Sequence, residues 1–329
     1  MNYCGIDTGC KTLDVVIRKK GKSLKCQSFE NTAAGHARIL RYLRKHKVNR
    51  VGLEATGYYH LDIAMKIEET TDMELMIINP RASKNFAKAL MTRHKNDSID
   101  AEVLAKFVER MDFVPWSTPD YDVFALLACG RRLISLSKQR TKAKNQLHAF
   151  SLTKRTPSFI IDDIRLTIEQ LDKQINNLVE NALLIIQKSD ELSLQHRFIT
   201  SMKGMADKTA IKLIGELGVL EADMAGKQWV SHAGLFPRVF QSGTSVNKRT
   251  GIGKVGNHYI REALYMGALS ATRHEPNVRA FYHHLINDNG LTKLQAICAV
   301  MRKMLLAIHG MFKTGQEFNG DRFYSLAND

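Results

Sequence analysis

No two cysteines of this chain form a C-x-x-C pair, and the five present (Cys4, Cys10, Cys26, Cys129 and Cys298) are odd in number and scattered. That excludes a disulfide frame or a zinc site built on paired thiols, and reads as reduced thiols in a cytosolic protein. Long apolar runs are missing too. No stretch approaches the roughly 18 residues of a membrane span, and MNYCGIDTG lacks the basic start and apolar run of an export signal. The expectation is a soluble bacterial protein of the cytoplasm, with no membrane partner. Acid is the third shortage: 33 Asp and Glu stand against 48 Lys and Arg in 329 residues, a formal net charge of +15. The deficit is local. Arg131 to Arg155 holds eight basic residues and no carboxylate, Arg81 to Lys95 holds five and none, and so does Arg238 to Arg261. Clustered positive charge selects a polyanionic partner, because neutralising phosphates releases their counterions. What the chain has in ordinary measure is apolar residues, 44%, enough for real cores and for two or three domains.

YCGID, LDVVIRK and LKCQSFEN, separated by turns, predict three sequential antiparallel strands. A helix near 33–46, the strand RVGLEA, a helix near 60–70 and the strand ELMIIN closed by Pro80 follow, then helices near 82–90 and 98–111. Residues 1–119 are therefore expected to form an α/β domain. Beyond Pro119 the strand signals stop. Apolar residues at 161, 164, 168, 171, 175, 178, 182 and 185 make a heptad seam that needs a partner helix. Either residues 121–150 return as the other arm of a helical hairpin or a second protomer packs there, so 120–190 is read as a helical hairpin or coiled-coil oligomerisation arm. Residues 191–329 are expected to be mainly α-helical. Within them FITSMKGMADKTAIKLIGELG predicts a helix-hairpin-helix-like unit that offers backbone N–H groups to a phosphate, with Lys203 and Lys208 adding charge, although Ala206 stands where a second glycine is usual. Two further clusters, Arg38, Arg41, Arg44, Lys45 and Lys47, then Arg131, Arg132, Arg140, Lys142 and Lys144, are expected to meet RNA and DNA backbones. Few aromatics interrupt them, which favours reading of shape and backbone over base stacking.

Against this background the carboxylates stand out. Asp7 ends the first strand, Glu54 ends VGLE, and Asp97 and Asp100, three apart at a helix start, share a helix face. In a sheet that opens with hairpins the first strand is central and the next helix-connected strand lies beside it, which makes Asp7 and Glu54 neighbours. Four converging carboxylates repel one another unless a cation holds them. Two Mg²⁺ ions, with Mn²⁺ as a substitute, would satisfy them and form a clamp for in-line phosphoryl transfer. Plainer roles exist: Asp97 and Asp100 also suit a helix cap, and Glu54 a surface charge. GIDTG also fits the first phosphate loop of an actin-like ATPase, but its second loop fails, since Asp288-Asn289-Gly290 is followed by Leu291.

GIDTG, LEATGYYH and KNDSIDAEVLA resemble the three blocks of the RuvC-like domain in the DEDD insertion-sequence transposases, relatives of the Piv DNA invertases. GMADKTAIKLIGELG, HAGLFPRVFQSGTS and GIGKVGNHYIREAL resemble that family's C-terminal transposase domain, and the blocks span nearly the whole chain in order. The resemblance implies a RuvC/RNase H-like N-terminal domain in which Asp7, Glu54, Asp97 and Asp100 bind metal. It also implies that Ser242 of QSG is a nucleophile forming a phosphoserine link to donor and target DNA. Guidance by a structured noncoding bridge RNA is implied as well, as are dimers pairing into a tetrameric synapse in which one subunit's RuvC-like domain completes another's serine site. A serine hydroxyl needs activation, which metal can supply. Gly243 lets the backbone approach a phosphate, and Arg238, Lys248, Arg249, Lys254, Asn257 and Arg261 are expected to meet DNA. Thr244 and Ser245 are rival hydroxyls in the same loop, whereas Ser201, Ser231 and Ser270 read as structural. A RuvC-like metal-dependent junction nuclease would explain the carboxylates but leave Ser242 idle. An architectural nucleic-acid protein would leave both unused.

Overall fold

The computed structural model describes residues 1–55, 57–91, 97–242, 246–252 and 255–326, and of residues 97–98, 238–242 and 246–250 the backbone alone. The chain divides into two units, Met1–Thr118 and Pro119–Asp329.

In the first unit β1 (Asn2–Thr8) and β2 (Thr12–Lys19) form an antiparallel hairpin in which Asp7 faces Asp14. The expected third strand arrives in two pieces, β3 (Lys22–Ser23) and β4 (Gln27–Glu30), both paired with β2. Between the pairs Arg18–Ser23 and Val15–Gln27, Val16 and Ile17 face the three residues 24–26. The extra residue is a bulge that breaks the strand. α1 (Ala33–Lys45) begins at Thr32, whose hydroxyl accepts from the Gly35 amide. Then come β5 (Arg50–Glu54), α2 (Leu61–Thr70), β6 (Glu74–Ile78), α3 (Pro80–Ala89) with Pro80 in its first turn, and α4 (Asp97–Arg110). The order β3-β2-β1-β5-β6 makes β1 central, with β5 parallel beside it, as the hairpin-first pattern predicts. Strand alternation assigns the faces. Cys4 and Ile6 pack with Ile39 and Leu43 of α1 and Ile63 and Ile67 of α2, while α4 covers the opposite face with Ala101, Leu104, Ala105 and Val108. All five cysteines are free thiols, and burial pushes that of Cys4 far above its usual range.

The second unit opens with α5 (Tyr121–Ser151) and α6 (Ser158–Gln187), an antiparallel helical hairpin. Ile164, Leu171, Ile175 and Ala182 of the heptad seam are buried in one cluster with Leu126, Leu133, Leu136 and Ala143 of α5, so the same chain supplies a partner along the seam. α7 (Asp190–Ser201), α8 (Asp207–Leu217) and α9 (Gly226–Ala233) follow. The basic loop then folds as a β-hairpin, β7 (Pro237–Ser242) and β8 (Val246–Ile252), where the sequence reading expects only a loop. Val239, Phe240, Val246 and Ile252, residue types that favour strands, fall within the two paired segments. α10 (His258–His274), α11 (Pro276–Asn287), α12 (Lys293–Thr314) and the short α13 (Gly320–Phe323) complete the unit. Contrary to the expectation from apolar runs, α12 is long and apolar enough to cross a bilayer by length and composition. Its apolar side, including Val300, Met304, Leu305 and Ile308, lies in the core of the second unit.

Candidate active-site residues

Each strand-end carboxylate stands two residues after a glycine: Gly5-Ile6-Asp7 and Gly52-Leu53-Glu54. Gly5 and Gly52 are partners in the parallel β1–β5 pairing, and Ile6–Leu53 is the next pair. Asp7 and Glu54 therefore follow side by side, and alternation places both on the face that α4 covers. A Cβ on Gly5 would lie 2.2 Å from the carbonyl oxygen of Ala101 and 2.3 Å from the amide of Ala105, so α4 rests on bare strand backbone. The helix runs antiparallel to β1. Arg18, opposite Tyr3, bonds Glu109 near the helix C-terminus at 2.8 Å, while Gly5 meets Ala101 and Ala105. Its first turn, carrying Asp97 and Asp100, accordingly points toward the end of β1 where Asp7 and Glu54 stand.

The surroundings hold two of these groups in place. The Thr8 amide donates to Asp7 Oδ1 (3.0 Å), the Thr8 hydroxyl to the Glu54 carbonyl (3.3 Å), and the buried Ser83 hydroxyl of α3 to Glu54 Oε2 (2.5 Å). Among the described residues no three His, Cys, Asp or Glu side chains stand close enough to hold an ion by themselves. The side chain of Asp97 lies outside the described residues. What the structure supplies is a pair of carboxylates on one face with a helix turn bearing two more directed at them. Carboxylate oxygens such as those of Asp7 and Glu54 are the kind of donor a hard divalent cation takes.

In the second unit Ser242 ends β7, its backbone paired with Val246 of β8. Its side chain, those of Arg238, Lys248 and Arg249, and the whole of Lys254, Gly253 and residues 243–245 lie outside the described residues. The feet of the hairpin are stitched together. The Asn257 amide donates to the His232 carbonyl (2.7 Å), and Arg261 Nη1 donates to the carbonyls of Ala233 (2.8 Å) and Val255 (2.9 Å). Gly234 caps α9 at φ 69° with its missing Cβ 1.9 Å from the Val255 carbonyl, a place only glycine can occupy. Beneath them lies Glu216 of α8, 2% exposed. It accepts from Arg131 Nε (2.7 Å) and Nη2 (3.2 Å) and from Asn257 Nδ2 (2.7 Å).

Several cations assigned to nucleic acid thus have internal work. Arg131 pairs with Glu216 and lies over the Tyr259 ring, Arg140 donates to Asp172 of α6 (3.2 Å), and Arg261 holds the two carbonyls. Asn257 caps α10, accepting from the amides of Tyr259 and Ile260. Arg132, Lys142, Lys144, Lys203 and Lys208 are exposed. Ser201 bonds the Phe198 carbonyl and accepts from the Phe318 amide, a structural hydroxyl as expected. Sequence reading misses Glu216 and Ser83, whose partners lie 41 or more and 29 residues away. The hairpin-first strand order pointed to Asp7 beside Glu54, and the glycine two residues before each of them is a further signal that the sequence reading left unused.

Comparison with known proteins places these features in context. Residues 4–154 match a DEDD profile of the IS110 type described as "Transposase", and residues 196–283 match one described as "Transposase IS116/IS110/IS902 family". Pilin gene-inverting proteins of Moraxella lacunata and Moraxella bovis are each 28% identical over 325 residues, spanning 96% of this chain and 97% of theirs. Two solved structures of Thermus thermophilus RuvC, one in complex with Holliday junction substrate, also match. Their identities are 18% and 16%, over 35% and 34% of this chain and 99% and 96% of RuvC, with TM-scores of 0.29 and 0.27.

Proposed function

This chain belongs to the IS110-type DEDD transposases, and from that premise we propose that it cuts and rejoins DNA through a phosphoserine intermediate at Ser242. The reading rests above all on the juxtaposition of Asp7 and Glu54 at the end of the sheet toward which the first turn of α4 points, in a chain whose second unit carries Ser242 at the end of a hairpin strand. Asp7, Glu54, Asp97 and Asp100 would hold divalent metal, with two Mg²⁺ ions as the expected complement. Bound there, such ions polarise a phosphate and stabilise a departing oxygen. Ser242 Oγ attacks phosphorus and displaces the 3′ oxygen of the cut strand, which leaves as a hydroxyl with the proton the serine gives up. Attack by another strand's 3′ hydroxyl then frees the serine and rejoins DNA without ATP, since the ester has conserved the bond. The active form would be a dimer that pairs into a tetramer. The excess of cation suits a structured guide RNA as well as DNA, in the bacterial cytoplasm.

A suicide DNA substrate that traps the covalent adduct tests this. The adduct forms with the wild-type protein and is lost with Ser242→Ala. A Ser242→Ala protein that still cleaves while Asp7→Ala does not would establish the second reading, a junction nuclease using water, which the self-contained carboxylate pair of the first unit also suits.

The exposed lysines set a second expectation. Replacing Lys203 and Lys208 together by methionine should flatten the plot of log binding constant against log salt by about 0.9 for each phosphate no longer neutralised, uniformly across DNA sequences. An unchanged slope, measured by filter binding or anisotropy, removes the turn between α7 and α8 from the DNA surface.

A further inference from the structure

One side chain ties together the loops that leave the two strand-end carboxylates. Asn31, which follows β4, donates from Nδ2 to the Gly9 carbonyl (3.0 Å), two residues beyond Asp7, and to the Tyr59 carbonyl (3.1 Å), five beyond Glu54. Its Oδ1 lies 2.7 Å from Nε2 of His36, a buried ring in the first turn of α1. A carboxamide has two N–H donors and one carbonyl. Here all are used, and the two carbonyl partners decide which end is nitrogen. Nε2 of His36 must then carry a proton and donate. Burial holds this imidazole below its usual range, with Asp62 pulling the other way, which favours the neutral ring with Nδ1 deprotonated. The main chain fixes Asn31 to the Asp7 side, its amide donating to the Lys11 carbonyl (2.8 Å) while the Gly9 amide donates to the Thr12 carbonyl (2.9 Å). The Asn31 side chain crosses to the Glu54 side, where the Thr8 hydroxyl also reaches the Glu54 carbonyl (3.3 Å).

We propose that Asn31 is a positioning residue: its carboxamide, oriented by His36, clamps the loop after Asp7 to the loop after Glu54 and so sets the separation at which the two carboxylates meet a divalent ion. The inference rests on the reading of Asp7 and Glu54 as ion ligands. A clamp of this kind acts on ion affinity before it acts on the chemical step, because extra ion compensates for a loosened site.

Mn²⁺ titrated into the full-length protein, with free ion read by electron paramagnetic resonance, tests the clamp alongside Mg²⁺-dependent DNA cleavage and thermal unfolding. Asn31→Ala is expected to weaken Mn²⁺ binding about tenfold and raise half-saturating Mg²⁺ similarly, with cleavage at saturating Mg²⁺ recovering to within about threefold of wild type. His36→Leu should shift affinity the same way, and His36→Gln, whose amide can donate the missing bond, should recover most of it. Unchanged Mn²⁺ affinity in folded Asn31→Ala, or cleavage depressed equally at every Mg²⁺ concentration, overturns the clamp. Should Asn31→Ala not fold, equal Mn²⁺ binding by His36→Leu and His36→Gln overturns it instead. Failure of the underlying reading has its own signature: Asp7→Ala and Glu54→Ala bind Mn²⁺ as wild type does, which sinks the ligand assignment and the clamp with it.

Discussion

Gly5→Ala is expected to eliminate DNA cleavage and to destabilise the first unit by about 3 kcal/mol, the upper end for an overpacked contact. The added methyl would meet the Ala101 carbonyl oxygen at 2.2 Å, the Ala105 amide at 2.3 Å and the Leu104 carbonyl carbon at 2.9 Å. All three are backbone atoms of α4, which no rotamer change can move. The helix must lift from the sheet, and it carries Asp97 and Asp100 with it. Gly52→Ala is the control. Its methyl would meet Val108 Cγ2 at 2.4 Å and Ile78 Cδ1 at 2.9 Å, the ends of rotatable side chains, so repacking should limit the loss to about 1 kcal/mol with cleavage retained. Urea unfolding and cleavage measured on both variants decide the matter. Equal effects at the two glycines would mean that the helix does not depend on bare backbone at β1.

The first unit was legible because its signals are local. Alternating apolar residues, the turn at Gly21 and the closing Pro80 each act within a few positions, and the central place of β1 follows from starting with a hairpin. The bulge at residues 24–26 was not legible, since LKCQSFEN alternates acceptably and only the register on β2 shows the extra residue. The β7–β8 hairpin was hidden by its charge: Lys248 and Arg249 suggested a loop, although Val239, Phe240, Val246 and Ile252 already marked strands. Charge misled in a second way. A run of arginines looks the same in sequence whether it faces a phosphate or a carboxylate 85 residues away, as Arg131 faces Glu216. The carboxylates themselves stood out, but what orients them, Ser83 and Asn31, did not. A serine and an asparagine near helix starts are ordinary caps until the fold brings their partners close.

The buried Glu216 carries the second large expectation. Glu216→Ala should cost about 3–5 kcal/mol, because it strands the Arg131 guanidinium and the Asn257 amide without their shared acceptor. Glu216→Gln keeps one acceptor oxygen but turns an N–H toward a donor, for a loss of about 1–3 kcal/mol. Stability alone does not separate an anchor for the hairpin from an ordinary core ion pair, and a double-mutant cycle does. Arg131→Met/Glu216→Met removes both charges together, so its loss should fall well short of the sum of the single losses; additive losses would show that the pair is not coupled. Asn257, though, still lacks its acceptor in that double variant, and Asn257 is the residue that joins the end of α9, through the His232 carbonyl, to the cap of α10 just beyond β8. The double variant should therefore regain stability without regaining full covalent adduct at Ser242, assayed well below its unfolding temperature. Recovery of both would place the hairpin's support elsewhere; recovery of stability alone would make Glu216 the point at which the core of the second unit holds its serine.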